Sequence, residues 1–432
     1  MPSASGANTL TTLDGFYKKI YGDSLTKLIP DNAKILKRLP FERRKKLGDE
    51  FLIDVALQNE QGFTYNTDGS AFALNGAIPM ATKPARVKGT EILLQSRMSY
   101  KAASAATSSK EAFAEATTTM FENMMDSASD RLEISLLYGK SEKGKINSTT
   151  AIDSTNCYIN LVGSSWSVGM WSAKTDAKLT LYTSAGVLIG SEGGYTIKAV
   201  DIPNKRIKVL ASAPDITSLT GTVFTTNKGL IQFYGMSGST FASSNEFLGI
   251  DKIITETTDL FGINPSVYPL WKGIEYTVAN GAAGSNPILI ENLRKAVDVA
   301  FAQGLKDDIT AYSSPNVFTK LTNDLMANRR FDSSYGPDAK QGFKTIQILA
   351  SNGIINLEPH PIVKEGDIFM LNLKNYMRVG STDFTMETPG VGGKIFFQLD
   401  GYAGFEVRMY TDQAILCNAP ARSIKITGFD LP

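Results

Sequence analysis

Residues 108–139, SSKEAFAEATTTMFENMMDSASDRLEISLLYG, decide how the rest of the chain is read. Ser108 or Ser109 can cap a helix, and Glu111 follows in the first turn, against the positive end of the peptide dipoles. Phe113, Ala116, Met120, Met124, Ala128, Leu132 and Leu136 recur at three- or four-residue steps and form one apolar stripe. The spacing predicts a single helix over 108–138, ended by Gly139. About 28 residues of helix reach about 42 Å, longer than a usual globular helix, so this segment reads as a structural spine. Phe113, Met120, Met124, Leu132 and Leu136 are its expected packing residues. Asp126, Asp130 and Glu133 share another face, which reads as solvated or intersubunit, and Met120, Met124 and Met125 read as adaptable packing residues rather than ligands.

Upstream of the spine the pattern is β. DEFLIDVAL, from Asp49, reads as a strand, and QNEQGFTYNTDGSAFALNGAIP as a glycine- and asparagine-rich tip. VKGTEILLQSRMSYKAA, from Val87, reads as the returning strand. A two-stranded flap has little core of its own and needs a surface to lie on. Phe63, Tyr65 and Phe72 near its tip are candidate interface anchors, with local packing in the tip an equal alternative. The first 47 residues form an arm poor in apolar side chains. Its basic run includes Lys34, Arg38, Arg43, Arg44 and Lys46 and is interrupted by Pro30 and Pro40. Without interleaved aromatics the run suits acidic surface on a neighbour better than nucleic acid, which makes Arg38, Arg43 and Arg44 candidate intersubunit contacts.

Downstream, residues 150–245 show short apolar runs with glycine and threonine and no helical period; YTIKAVD and KRIKVLA flank a turn as a hairpin. A second helix is expected over 286–308, with Asn286 as cap and Pro287 at its first position, and a third opens at Ser314–Pro315. KTIQIL, DIFMLNL, KIFFQLD, FEVRMY, AILCNA and SIKITGF complete a β-rich end, so the class is α+β.

Composition bounds the chemistry. The 432 residues carry 42% hydrophobic and 20% charged side chains, a folded composition, and a net charge of +1 that does not suit a general nucleic-acid binder. No run approaches the roughly 18 apolar residues of a membrane span, and no secretory signal opens the chain, so a cytoplasmic origin is expected. Cys157 and Cys417 are far apart, which argues against a disulfide framework. Gly139–Lys145, GKSEKGK, follows a helix and places Ile146 where a phosphate loop needs Ser or Thr. The single histidine, His360 in LEPHP, has no spaced partner and reads as a loop or packing residue. No catalytic, metal or cofactor site is predicted.

The order of these segments resembles the major capsid proteins of tailed bacteriophages, whose fold is also found in encapsulins and herpesvirus capsid floors. Arg38–Lys46 stands where the arm enters, GDEFLIDVAL and EILLQSRMSY where an extended loop leaves and returns, and 108–138 where the spine lies. Asn286–Gly304 and Pro315–Leu325 look like axial-domain helices, and KIFFQLDGYAGFEVRMYTDQAILCNAP like the strands that close the peripheral domain. The resemblance implies an arm over 1–47, an extended β loop over 48–102 and a peripheral domain over 103–164. A mainly axial domain over 236–372 and a return to the peripheral domain over 373–432 follow. The β segment 165–235 departs from a minimal capsid subunit and reads as an inserted subdomain.

The implied function is a non-enzymatic head protein that self-assembles through pentamers and hexamers into an icosahedral shell around double-stranded DNA. Implied partners are copies of itself, a separate scaffolding protein, a portal protein and a decoration protein, with DNA enclosed rather than bound by sequence and no membrane. An encapsulin-like cargo shell, a tail or baseplate protein and an enzyme are the alternatives.

Overall fold

The computed structural model describes residues 7–8, 32–43, 50–67, 69, 71–100, 110–190, 193–221, 228–236, 238–279, 286–328, 346–351, 353–387, 395–398 and 402–430. Its longest helix, Lys110–Tyr138, is the spine. Met124 and Ala128 pack against Val407 and Met409, with Met120 half-buried beside them, while the side chain of Phe113 lies outside the described residues. From Leu132 to Tyr138 every side chain is buried. The apolar stripe therefore gives way to a helix end covered on all sides; of the face read as solvated or intersubunit, Asp126 and Asp130 are half-buried and Glu133 is fully buried. Arm residues Ile35 and Leu36 meet the spine on one side, and Phe233 packs on another through Arg131.

Gly139 follows this end because nothing larger fits. A Cβ there would stand 2.4 Å from the Phe247 carbonyl oxygen and 2.6 Å from that of Ser135. Gly249 approaches from the other side and donates its N–H to the Gly139 carbonyl at 3.1 Å. The left-handed turn that commonly falls on such a glycine is taken by the next residue, Lys140, at φ 58°.

Among the described residues the strands form three sheets and a hairpin. The first orders Ala7–Asn8, Thr90–Ser99, Gly404–Cys417, Tyr376–Thr385 and Phe41–Arg43, with Phe396–Gln398 also on Gly404–Cys417. The segments FEVRMY and AILCNA are thus one 14-residue strand. The second sheet orders Ile274–Thr277, Ile424–Thr427, Ile368–Leu371, Ile309–Ser313, Gly353–Pro359 and Ile346–Ala350, against helices Ile290–Ala302 and Pro315–Asn328. Helix Ile290–Ala302 starts later than its sequence suggests. Asn286 is held instead by Asp430, which accepts its N–H at 2.6 Å and returns a bond to its carbonyl at 2.8 Å. Leu289 becomes the cap residue, with its N–H donated to the Asn292 side chain.

The third sheet closes into a six-stranded barrel in the order Arg206–Leu210, Asn156–Leu161, Gly144–Ala151, Gly229–Phe233, Lys178–Tyr182 and Tyr195–Asp201. The hairpin around residues 202–205 lies within it, pairing Arg206 with Asp201. Two of its strands precede residue 165, where the sequence reading starts the inserted β segment. Polar repeats such as NSTTA hide their strand character until the barrel closes on them. The look-alike phosphate loop is the barrel's entry: Lys143 is buried, and its Nζ donates to the Tyr138 carbonyl at 2.7 Å and to Glu246 at 2.8 Å.

The flap differs from its expected form. Glu50–Gln58 pairs with Ala81–Lys88, and the segment expected to return, Thr90–Ser99, belongs to the first sheet. Pro84 lies opposite Asp54 and made ATKPARVK a poor strand by sequence; a two-stranded ribbon has an open side on each strand, where a missing N–H costs nothing. Gly89 divides the two strands, because a Cβ there would come 2.4 Å from the Asp412 carboxylate.

Candidate assembly interface

The hairpin changes character along its length. At its root Phe51, Ala85 and Val87 are buried in the main core with Leu260, Phe261 and Ile263, and the Arg86 N–H donates to the Phe261 carbonyl at 2.7 Å. Beyond Gln58 the chain leaves that core. The tip is held by a few crossing bonds: Gln61 N–H to the Ile78 carbonyl at 3.1 Å, Asn75 N–H to Thr64 Oγ1 at 2.8 Å, and Asn75 Nδ2 to the Phe63 carbonyl at 2.9 Å. Phe63, Tyr65, Phe72, Leu74, Ile78 and Met80 are all exposed, Tyr65 at 89% and Leu74 at 79%. Local packing within the tip therefore does not bury the three aromatics singled out by sequence. Leu74, Ile78 and Met80 were missed because an isolated aliphatic in a glycine-rich loop carries no periodic signal. Full burial of a large apolar side chain is worth roughly 1.5–3 kcal/mol, so an apolar tip of this kind gains much from a surface to cover it.

The arm is anchored within the chain. Glu133 accepts the N–H groups of Ile35 at 2.8 Å and Leu36 at 2.7 Å, and its Oε1 lies 2.8 Å from His360 Nε2. His360 Nδ1 accepts the Ile362 N–H at 3.2 Å, so Nε2 carries the proton and donates to Glu133. The histidine ring stands edge-on to Tyr312, whose hydroxyl accepts from Arg38 Nη1 at 2.8 Å, and Arg38 Nη2 reaches Glu358 at 2.8 Å. Lys34 Nζ donates to the Pro359 carbonyl at 2.6 Å. Arg38 thus uses its guanidinium on its own subunit. Arg43 ends a short strand on Tyr376–Thr385, its side chain outside the described residues, and Arg44 lies wholly outside them. His360 is a buried structural residue whose partner, 227 positions away, no spacing rule could have supplied.

Beneath the spine's last turn lies a buried ionic cluster. Lys425 Nζ is 2.5 Å from Asp251 and 3.3 Å from Asp367; Ser141 donates to Asp251 at 2.5 Å, and Tyr138 to Asp367 at 3.1 Å. Burial works to raise the Asp251 carboxyl, but Lys425, Lys364 and the hydrogen bonds to Lys425 and Ser141 outweigh it, and the net shift is downward. At Asp367 burial, reinforced by the Asp251 charge, prevails over the two lysines and the shift is upward. Burial also pushes the Tyr138 hydroxyl well up, keeping it a donor. Among the described residues no group of three or more His, Cys, Asp or Glu is arranged to hold a metal, and no helix is long and apolar enough to cross a membrane. Cys157 and Cys417 are buried and free.

No family model matches the chain, and no curated protein does. Among solved structures it is similar to the cyanophage A-1(L) capsid asymmetric unit, at 10% identity and a TM-score of 0.55, over 98% of this chain and 99% of that one. A native GTA particle capsid computed with C5 symmetry aligns at 7% identity and a TM-score of 0.46, over 98% and 99% of the two chains. The holo-SrpI encapsulin complex from Synechococcus elongatus PCC 7942 aligns at 7% and 0.40, over 98% and 96%. The first shows the fold: this chain has a capsid-like α+β fold along nearly its whole length.

Proposed function

We propose that the chain is a shell-forming structural protein, the major capsid protein of a tailed bacteriophage head that encloses double-stranded DNA. The observation that carries the reading is the hairpin, rooted in the subunit core and apolar at a tip that its own subunit does not cover. A subunit of capsid-like fold gains from such an element only when a neighbour lies under it. Contacts repeat head to tail around pentamers and hexamers, and closed symmetry limits the assembly. In this reading the arm, the spine and the axial domain stand where the sequence placed them, the extended loop narrows to the hairpin of Glu50–Gln58 and Ala81–Lys88, and the barrel is an added feature that begins at Gly144 rather than at residue 165. Scaffolding, portal and decoration proteins are the expected partners, and assembly takes place in the host cytoplasm before the shell becomes part of the virion. The proposed role is architectural rather than enzymatic.

Negative-stain electron microscopy of the purified chain, with and without a candidate scaffold, tests this directly. Closed icosahedral particles are expected from the intact chain, and a soluble subunit without stable shells from a chain lacking residues 60–78. Tubes or open rings from the intact chain would move the assignment to a tail component. Normal particles from the deletion would remove the hairpin as a principal interface. Shells that load a protein cargo in place of DNA would assign the encapsulin type.

A further inference from the structure

Strand Thr90–Ser99 pairs with Gly404–Cys417 over its whole length on one side. On the other side its described neighbour is Ala7–Asn8, opposite only Arg97 and Met98. Among the described residues no strand lies against Thr90–Gln95 on that side. A cavity of about 520 Å³ runs there, between this strand, the spine and the barrel. Its wall includes Ile92, Leu93 and Leu94 in succession. Neighbouring side chains of a strand point to opposite faces, so consecutive lining residues mean that the cavity follows the strand's edge. Across from them stand Ala128 and Arg131 of the spine and Tyr234 of the barrel side, which is half-exposed.

Arg131 is the unusual member. Its guanidinium lies 3.6 Å from the centroid of the Phe233 ring, and its Nη1 is buried with no hydrogen-bond partner among the described residues. Of the acids around it, Glu246 is taken by Lys143 at 2.8 Å and Ser135 at 3.0 Å, and Asp130 gives Oδ2 to Lys174 while its Oδ1 is also buried without a hydrogen-bond partner among the described residues. A buried donor left unpaired costs free energy that an incoming acceptor recovers.

We propose that this groove takes an extended segment of a partner protein as an added strand along Thr90–Gln95, with an acidic side chain of that segment bound by Arg131. Main-chain pairing to the open edge supplies affinity without demanding a sequence, and the arginine supplies the selection for a carboxylate. The inference stands apart from the shell reading, because it needs only the subunit.

Fluorescence anisotropy with the full chain tests it. The probes are three labelled peptides of about ten alternating Val and Thr residues: one with a central Glu, one with Gln in its place, and the Glu peptide N-methylated at alternate backbone amides. The Glu peptide is expected to bind, the Gln peptide about tenfold more weakly, as for a charged against a neutral hydrogen bond, and the methylated peptide not at all. Arg131→Gln should erase the preference for Glu, and the peptide comparison on the unaltered chain stands even if that variant does not fold. Equal binding of Glu and Gln peptides, binding of the methylated peptide, or no binding would each overturn the proposal. Binding gained only when residues 1–8 are deleted would also overturn it, by making the chain's own N-terminal segment the occupant.

Discussion

The root and the tip of one hairpin teach different lessons about the same kind of residue. At the root Phe51 and Val87 face each other across the ribbon and are buried against Leu260 and Phe261, so their apolar area already stabilises the subunit. At the tip Tyr65 and Leu74 are equally apolar in character and almost wholly exposed. Their area is still available for contacts outside the subunit. The largest effect that could break this contrast is a change at the tip. Tyr65→Ser with Leu74→Ser should abolish closed particles in electron micrographs while moving the subunit's melting temperature by no more than about 2 °C, because surface substitutions seldom alter stability by more than about 0.5 kcal/mol. Phe51→Ala should do the reverse in origin, costing about 3–5 kcal/mol in denaturant unfolding through loss of a buried aromatic. If the tip pair lowers stability as much as the root substitution does, the tip belongs to the subunit's own core and the contrast fails.

A second contrast lies between the hairpin and the arm. Both are extended segments leaving the body, yet the arm's residues 33–39 are fastened to it, with one buried carboxylate, Glu133, holding two of their backbone N–H groups. Removing it with Glu133→Ala leaves the N–H groups of Ile35 and Leu36 and the His360 Nε2 proton without their acceptor. Each buried donor left unpaired costs about 1–3 kcal/mol, so a loss of at least about 3 kcal/mol is expected, accompanied by faster amide exchange at Ile35 and Leu36. A loss below about 1 kcal/mol would show that the arm is held by its apolar contacts and by the Lys34 and Arg38 bonds instead.

These two segments also mark how far the sequence could be read. The spine was legible because its apolar residues repeat at helical spacing for several turns, and the two later helices for the same reason. The hairpin's first strand was legible through DEFLIDVAL, but its partner was hidden by Pro84 and two lysines, which suit an open ribbon and not a general strand pattern. At the tip, Phe63, Tyr65 and Phe72 stood out as aromatics in a glycine-rich loop. Arg38 was legible as a contact residue and misleading as to its partner, since Tyr312 and Glu358 lie 274 and 320 positions away. Glu133 misled most. Its helical spacing with Asp126 and Asp130 is that of a solvated face, and only the arm and His360, brought in by the fold, turn it into an interior acceptor. Local pattern reports an element's period; it does not report what a distant segment places on its polar side.

The smallest expected effect separates two carboxylates that look alike in sequence and in burial. Asp251 and Asp367 both face Lys425, yet their carboxyls shift in opposite directions, down for Asp251 and up for Asp367. A carboxyl lowered on folding contributes stability above the ordinary Asp range near 3.9 and loses it as pH falls. A carboxyl raised on folding contributes below that range and loses its contribution as pH rises through its folded value. Asp251→Asn should therefore destabilise at pH 7, and its difference from the unaltered chain should narrow as the buffer is taken below pH 4. Asp367→Asn removes an ionisation that burial and the Asp251 charge oppose, so it should match the unaltered chain at low pH and equal or exceed it at pH 7. Urea unfolding of both variants at the two pH values gives the comparison. The same sign for both would mean that Lys425 treats the two acids alike, and that the Ser141 bond to Asp251 and the Tyr138 bond to Asp367 do nothing to divide their roles.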